Sequence, residues 1–338
     1  MPGRIDSFTI DSETLAGNPL GDPARRTVSV WLPPSYDDVP ARRYPVVYWL
    51  SGFASTGGAF FQGGPWSPPL GERLDRLIAA GRMGEIIVVA PDCFTRFGGS
   101  QYVDSPATGR YETHLSSELI PAIDARYRTL CDRDGRAVGG KSSGGFGALV
   151  LGMRHPDLFS AVASHAGDSY FTLSVTQDFA KTFRTLRRHG GVASFLRHFD
   201  AAPVKRSDDM TTIMMLALAA AYAPDAAAPL GFALPFDEQT GELRPDVWRR
   251  FLAWDPAEMI ASHADALRRM RLVFLDAGGR DEWALDIGAR VMAARMRALG
   301  VAVEHEEFDD GHMNTSYRYE VSLPKLAAAL GAPGPRAP

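Results

Sequence analysis

The stretch Gly135-Arg-Ala-Val-Gly-Gly-Lys-Ser142-Ser-Gly-Gly-Phe-Gly-Ala-Leu149 admits two incompatible readings, and the choice between them decides the fold. From Gly140 it reads Gly-x-Ser-x-Gly, a tight turn that carries a nucleophilic serine, Ser142, between a strand and a helix. From Gly135 it reads Gly-x-x-x-x-Gly-Lys-Ser, a loop whose Lys141 would reach nucleotide phosphates. A phosphate loop begins where its strand ends, so apolar residues should precede Gly135. Arg128 to Asp134 is mostly polar instead. The serine turn needs its strand to run up to the nucleophile, and Ala137 and Val138 begin one directly after the Asp134-Gly135 turn signal. Beyond the serine, Phe146, Leu149, Val150 and Met153 recur as on one face of a helix. Gly140 and Gly144 then have a physical purpose. At such a turn the residues two before and two after the serine nearly touch, and a side chain on either would clash.

Outward from this turn the chain alternates strands and helices. Ile5 to Ile10 and Thr27 to Leu32 alternate apolar with polar and read as an antiparallel pair. Pro45 to Leu50 and Glu85 to Ala90 are near-continuous apolar runs, as in parallel strands buried on both faces. Leu74, Leu77 and Ile78 mark a crossover helix between them, and a second helix runs around Leu115 to Tyr127. After the Ser142 turn come a strand at Ser160 to Ser164, another at Arg271 to Asp276, a helix carrying Ile287, Val291, Met292 and Leu299, and a last strand within Val301 to Phe308. About eight strands with helical crossovers predict a mostly parallel, doubly wound α/β sheet flanked by helices. Residues 1–170 and 259–330 form this core. Residues 171–258 interrupt the alternation with an apolar helix, Met210 to Tyr222, and read as an inserted helical cap. The Gly/Pro-rich tail, 331–338, is expected to be disordered.

Composition sets outer bounds. With 338 residues, 45% hydrophobic and 22% charged, the chain can bury a large core, and its net charge of -4 without a basic cluster argues against nucleic acid as a partner. The longest apolar run, Ile213 to Ala221, is too short to span a bilayer. Cys93 and Cys131 fall on opposite rims of the expected sheet and are expected to be free thiols. A chain with two unpaired cysteines and no apolar leader points to the cytoplasm, although a secreted form that had lost its leader would read the same. Homo-oligomer formation is left open.

A serine hydroxyl is a weak nucleophile at neutral pH, so the Ser142 turn calls for an imidazole and an orienting carboxylate. The order after the serine should be acid, then histidine. Asp281 follows the strand ending near Asp276, and His312 follows the strand ending at Phe308. One helix and one strand separate them, so both loops open at the carboxyl edge where Ser142 sits. Asp276 is the rival acid, but it lies inside its strand. His305 is also within a strand, and His114, His155, His189, His198 and His263 have no such loop placement. The oxyanion of an acyl-transfer intermediate needs preorganised donors. These are expected to be the backbone N–H of Ser143, at the helix start, and that of Phe53, in the Gly-rich loop after the third strand.

Tyr44-Pro-Val-Val-Tyr-Trp-Leu-Ser-Gly-Phe53, the Gly140 to Leu149 run, Gly278-x-x-Asp281 and Asp310-Gly-His312 together resemble the Putative esterase family of α/β-hydrolases. That family includes S-formylglutathione hydrolases, feruloyl and acetyl xylan esterases, enterochelin esterases and mycolyltransferases. The resemblance implies an α/β-hydrolase fold, a Ser142, Asp281, His312 triad with Phe53 and Ser143 as oxyanion donors, and carboxylic ester hydrolysis on a small-molecule ester. Neither cofactor nor metal is needed for that chemistry. Two departures stand out: Ser143 replaces the methionine usual after the nucleophile, and Phe53-Ala-Ser55 replaces the Leu-Thr-Cys of the S-formylglutathione hydrolases. Phe60, Phe61, Trp66, His165, Met214 and Tyr222 are candidate pocket residues. Acyl transfer, thioester hydrolysis and nucleotide binding at Gly135 to Ser142 are the competing functions.

Overall fold

A computed structural model describes residues 2–64 and 66–332. Eight strands form one sheet: β1 (Arg4–Asp11), β2 (Arg25–Leu32), β3 (Val46–Leu50), β4 (Ile87–Pro91), β5 (Arg136–Lys141), β6 (Ala161–His165), β7 (Leu272–Gly278) and β8 (Glu304–Phe308). Their spatial order is β1-β2-β4-β3-β5-β6-β7-β8. β2 pairs antiparallel with β1 and β4, and every other pairing is parallel. The doubly wound sheet read from the sequence is therefore present.

The burial pattern explains the strand sequences. β1, at one edge, alternates exposed with half-buried residues, while all five residues of β3, β4 and β6 are buried. A strand covered on both faces favours apolar residues on each, which is why β3 and β4 read as continuous apolar runs, while β6 ends in the buried polar pair Ser164 and His165. The two faces feed separate clusters. Val46, Tyr48 and Leu50 point to one side with Val138, Val162 and Leu149, and Val47 and Trp49 point to the other with Ala137, Ala161 and Ala163.

Helices α1 (Leu70–Ala79), α2 (Ser143–Arg154), α3 (Phe179–His189), α4 (Val192–Ala201), α5 (Ser207–Tyr222), α6 (Pro245–Leu252), α7 (Leu285–Ala298) and α8 (Tyr319–Ala329) surround the sheet, with shorter turns between them. Leu74 and Leu77 of α1 and Leu323 and Leu326 of α8 cover the Trp49 side, while α2 and α5 cover the Tyr48 side. The second expected helix starts earlier than its periodicity suggests, at Tyr111, and its middle, His114–Leu119, is π-helical. Helices α3 to α6 fall within residues 171–258, and the apolar face of α5, with Ile213, Met215 and Leu216, joins the same cluster as the sheet. Gly331 and Ala332, expected to be disordered, instead close α8 by donating to the carbonyls of Ala328 and Ala327. Residues 333–338 lie outside the described residues.

Register brings the chemistry to one edge. Leu50 pairs with Gly140, Lys141 with His165, His165 with Asp276, and Gly278 with Phe308, so the loops leaving β3, β5, β6, β7 and β8 emerge side by side.

Candidate active site

β5 continues to Lys141 and α2 starts at Ser143, leaving a single residue for the reversal. Ser142 makes it at φ 57°, ψ -126°, a conformation that costs a side-chain-bearing residue of order 1–3 kcal/mol. Surrounding bonds impose it: its N–H donates to the His165 carbonyl and its own carbonyl accepts from the Phe146 N–H, both at 2.9 Å. The crossing is close enough that a Cβ on Gly140 would lie 2.6 Å from the Gly144 carbonyl, and one on Gly144 would lie 2.1 Å from the Leu50 oxygen. Strand geometry through Arg136–Lys141 leaves no loop there to wrap a phosphate, and the nucleotide reading falls with it.

The histidine and acid arrive from the next two loops along the edge. His312 Nδ1 lies 2.7 Å from Asp281 Oδ2, with both side chains buried. The other Asp281 oxygen accepts from the N–H of Trp283 at 2.9 Å, which fixes the carboxylate's orientation. Glu282 accepts from the His312 N–H at 2.7 Å, and the Trp283 ring stands edge-on to the imidazole at 4.9 Å. The two loops touch at Gly278, where a Cβ would lie 2.4 Å from the Asp310 oxygen. Ser142 and His312 share the wall of one cavity of about 560 Å³. No hydrogen bond joins the serine hydroxyl to the ring among the described residues, and such bonds commonly tighten only when substrate is bound.

Phe53 lines the same cavity, and Ser143 directly follows Ser142 at the start of α2. Neither N–H has an acceptor within the protein among the described residues, which leaves both free to donate. Gly52 permits the approach of their loops, since a Cβ there would sit 3.3 Å from the Lys141 oxygen and 3.4 Å from the Ser142 Cβ. The Ser143 hydroxyl takes a hydrogen bond from Gln101 at 3.2 Å and donates to Asp168 at 3.3 Å. Asp168 lines the cavity, and desolvation raises its carboxyl to about 6. Burial also holds the Lys141 ammonium below the usual lysine range, an effect partly offset by the charges of Asp281 and Glu282.

The rest of the wall is largely apolar: Phe171, Val175 and Leu285 with Met210, Met214 and Leu218 of α5. Of the candidate pocket residues, Phe60 and Met214 line this cavity. Four do not. Phe61 packs toward α1 beneath the sheet, and Trp66 is 95% exposed on the surface. Tyr222 is buried behind the wall, stacked on Phe171 and in contact with Phe146. His165 shares its strand parity with Ala161 and Ala163, so its ring points to the opposite face of the sheet, against Trp49, Phe274 and Tyr319. There His165 Nδ1 meets Asp276 at 2.6 Å and Nε2 meets the Ser322 hydroxyl at 2.7 Å, while Arg318 holds the second Asp276 oxygen at 2.9 Å. The rival acid is thus committed elsewhere. Trp283, Met313 and Tyr319 were missed as wall residues, although their position flanking or following the acid and histidine loops is a signal for them.

Comparison with known proteins completes this picture. A family profile described as Putative esterase matches residues 23–326. The chain belongs to that esterase family. Among curated relatives, this esterase-family chain is 30% identical over 174 residues to an endo-1,4-beta-xylanase/feruloyl esterase of Xylanibacter ruminicola, covering 50% of this chain and 22% of that protein. It is 34% identical over 157 residues to an esterase of Mycobacterium tuberculosis, covering 45% of this chain and 30% of that one. The match therefore spans less than a third of either relative's length. In three dimensions the family member resembles a ferulic acid esterase (TM-score 0.61, 22% identity, 97% and 99% of the two chains). It also resembles an S-formylglutathione hydrolase from Agrobacterium tumefaciens (TM-score 0.60, 18% identity, 97% and 96%). Those likenesses give the fold, which is that of the α/β-hydrolases.

Proposed function

We propose that this chain is a serine carboxylic ester hydrolase that works through Ser142, His312 and Asp281. The observation that carries the reading is the shared cavity: a serine held at φ 57° faces the same space as an imidazole already paired to a buried carboxylate. Ser142 Oγ attacks the acyl carbon while His312 Nε2 takes its proton, and the tetrahedral oxyanion forms against the N–H groups of Phe53 and Ser143. Collapse expels the alcohol, which receives the proton from His312, and leaves an acyl-Ser142 ester. Water, deprotonated by the same nitrogen, then releases the acid and restores the hydroxyl. Asp281 keeps Nδ1 protonated, so that Nε2 presents its lone pair to the serine.

Residues 171–258 supply part of the roof in this scheme, through Met210, Met214 and Leu218. A wall of methionine, phenylalanine and leucine side chains favours an ester whose acyl or aryl group is apolar. The relatives named as feruloyl esterases support an ester with an aromatic acyl group. The test is a panel of p-nitrophenyl, feruloyl and thioester substrates run with the parent chain and Ser142→Ala. Turnover that falls by about 10⁴-fold or more in the variant is the expected result. Hydrolysis that survives the substitution would overturn the assignment, and a preference for the thioesters would redirect it to thioester hydrolysis.

A further inference from the structure

Away from the cavity, the ends of three helices bring two imidazoles and a carboxylate together. α3 finishes on His189 and is closed by Gly190 at φ 79°. His198 lies on α4, and Asp209 is in the first turn of α5. One donor atom from each lies within 4.8 Å of the other two. The two rings are 4.2 Å apart between centroids, and His198 Nε2 is 3.8 Å from Asp209 Oδ1. These contacts are too long for hydrogen bonds, and neither imidazole has any other hydrogen-bond partner among the described residues. The buried Asp209 side chain uses Oδ2 to accept from the Arg206 N–H at 2.9 Å, which leaves Oδ1 turned toward the imidazoles.

We propose that His189, His198 and Asp209 form a binding site for a divalent transition metal, with zinc the best fit. Zinc bonds to imidazole nitrogen and carboxylate oxygen at roughly 2.0–2.2 Å, so tetrahedral donors lie about 3.4 Å apart. Modest rotations of the exposed His198 ring and the half-buried His189 ring close a spread of 4.8 Å to that spacing. Two imidazoles and one carboxylate favour zinc, nickel or cobalt over magnesium or calcium, which prefer all-oxygen shells. The fourth position falls to water. Asp209 is followed directly by Met210, so a metal here would tie α3 and α4 to the helix that walls the cavity.

The test uses the full chain, stripped with a chelator and then dialysed. Titration with Zn²⁺ alone should show saturable binding of about one ion per chain, and saturating Zn²⁺ should raise the melting temperature by several degrees. Mg²⁺ should do neither. His198 is exposed, so His198→Gln is expected to fold, as circular dichroism would verify. It should weaken zinc binding by about tenfold or more. The double variant His189→Gln/His198→Gln should abolish both the binding and the thermal shift. Absence of saturable binding by the parent chain would overturn the proposal. So would an undiminished one-to-one affinity in the double variant, because it would place the ion elsewhere, for instance at His312.

Discussion

Asp168 is the residue at which the cavity's chemistry and its stability cost are most directly linked. Desolvation keeps its carboxyl near 6 against an ordinary value of 3.8, so the folded chain holds this proton more tightly than the unfolded chain does. The protonated form favours folding, and that advantage is lost as pH rises through the interval between those values. Asp168→Asn, which mimics the neutral acid, should therefore melt close to the parent at about pH 4 and above it at about pH 8. Equal melting temperatures at both pH values would mean that the carboxylate is ordinarily solvated. Lys141 invites a different expectation. Its position at the end of β5, with no loop around it, removes the charge-on-phosphate role that its sequence context suggests. Lys141→Ala should keep ester hydrolysis within about tenfold of the parent. Saturable ATP binding that this substitution abolishes would restore the phosphate-loop reading.

At the scale of elements, two of the three methionines of α5, Met214 and Met215, differ in burial. Met214 lines the cavity and is half-buried, whereas Met215 reaches the same cavity from within the cluster that covers the sheet and is fully buried. Met214→Ala should shift acyl-chain preference with little loss of stability, and Met215→Ala should cost about 2–5 kcal/mol in denaturant unfolding. A reversed pattern would mean that the helix is turned the other way. The same helix shows how far sequence reasoning reaches. Hydrophobic periodicity finds α5, but Tyr222 lies two turns past Met214, about 12 Å further along the axis, whereas Met215 and Leu218 lie within about one turn of it. Met214, Met215 and Leu218 therefore line the cavity, while Tyr222 lies past its end in the aromatic stack with Phe171 and Phe146. Parity was equally decisive in β6, where counting from Ala161 and Ala163 sends His165 away from the site. By contrast, Ser142, Asp281 and His312 were legible because each follows a strand end, a position that burial and turn residues mark well. Trp66 and Phe61 were not, since an aromatic residue in a loop carries no signal of the direction it faces.

For the molecule as a whole, the order of strands was less legible than their number. Continuous apolar runs announce a sheet covered on both sides, but nothing local tells β4 to insert between β2 and β3. That placement follows from the handedness of parallel crossovers and from β2 running antiparallel, both of which act over long sequence separations. The finished sheet carries Ser142 at its carboxyl edge and, buried under α8 on one face, the sealed arrangement of Ser322, His165 and Asp276, whose donor-acceptor order matches that of a hydrolytic triad. Side-chain burial separates them: Ser322, His165 and Asp276 are 0%, 2% and 1% exposed. A fluorophosphonate should accordingly form one adduct per native chain, and peptide mapping should find it on Ser142. Ser322 is a chemically silent decoy in either state of α8: docked, it is sealed from reagents, and undocked, it leaves His165 and loses its base. The arrangement is thus a buried copy of the donor-acceptor order that partial unfolding cannot switch on, and labelling in mild denaturant should never extend from Ser142 to Ser322.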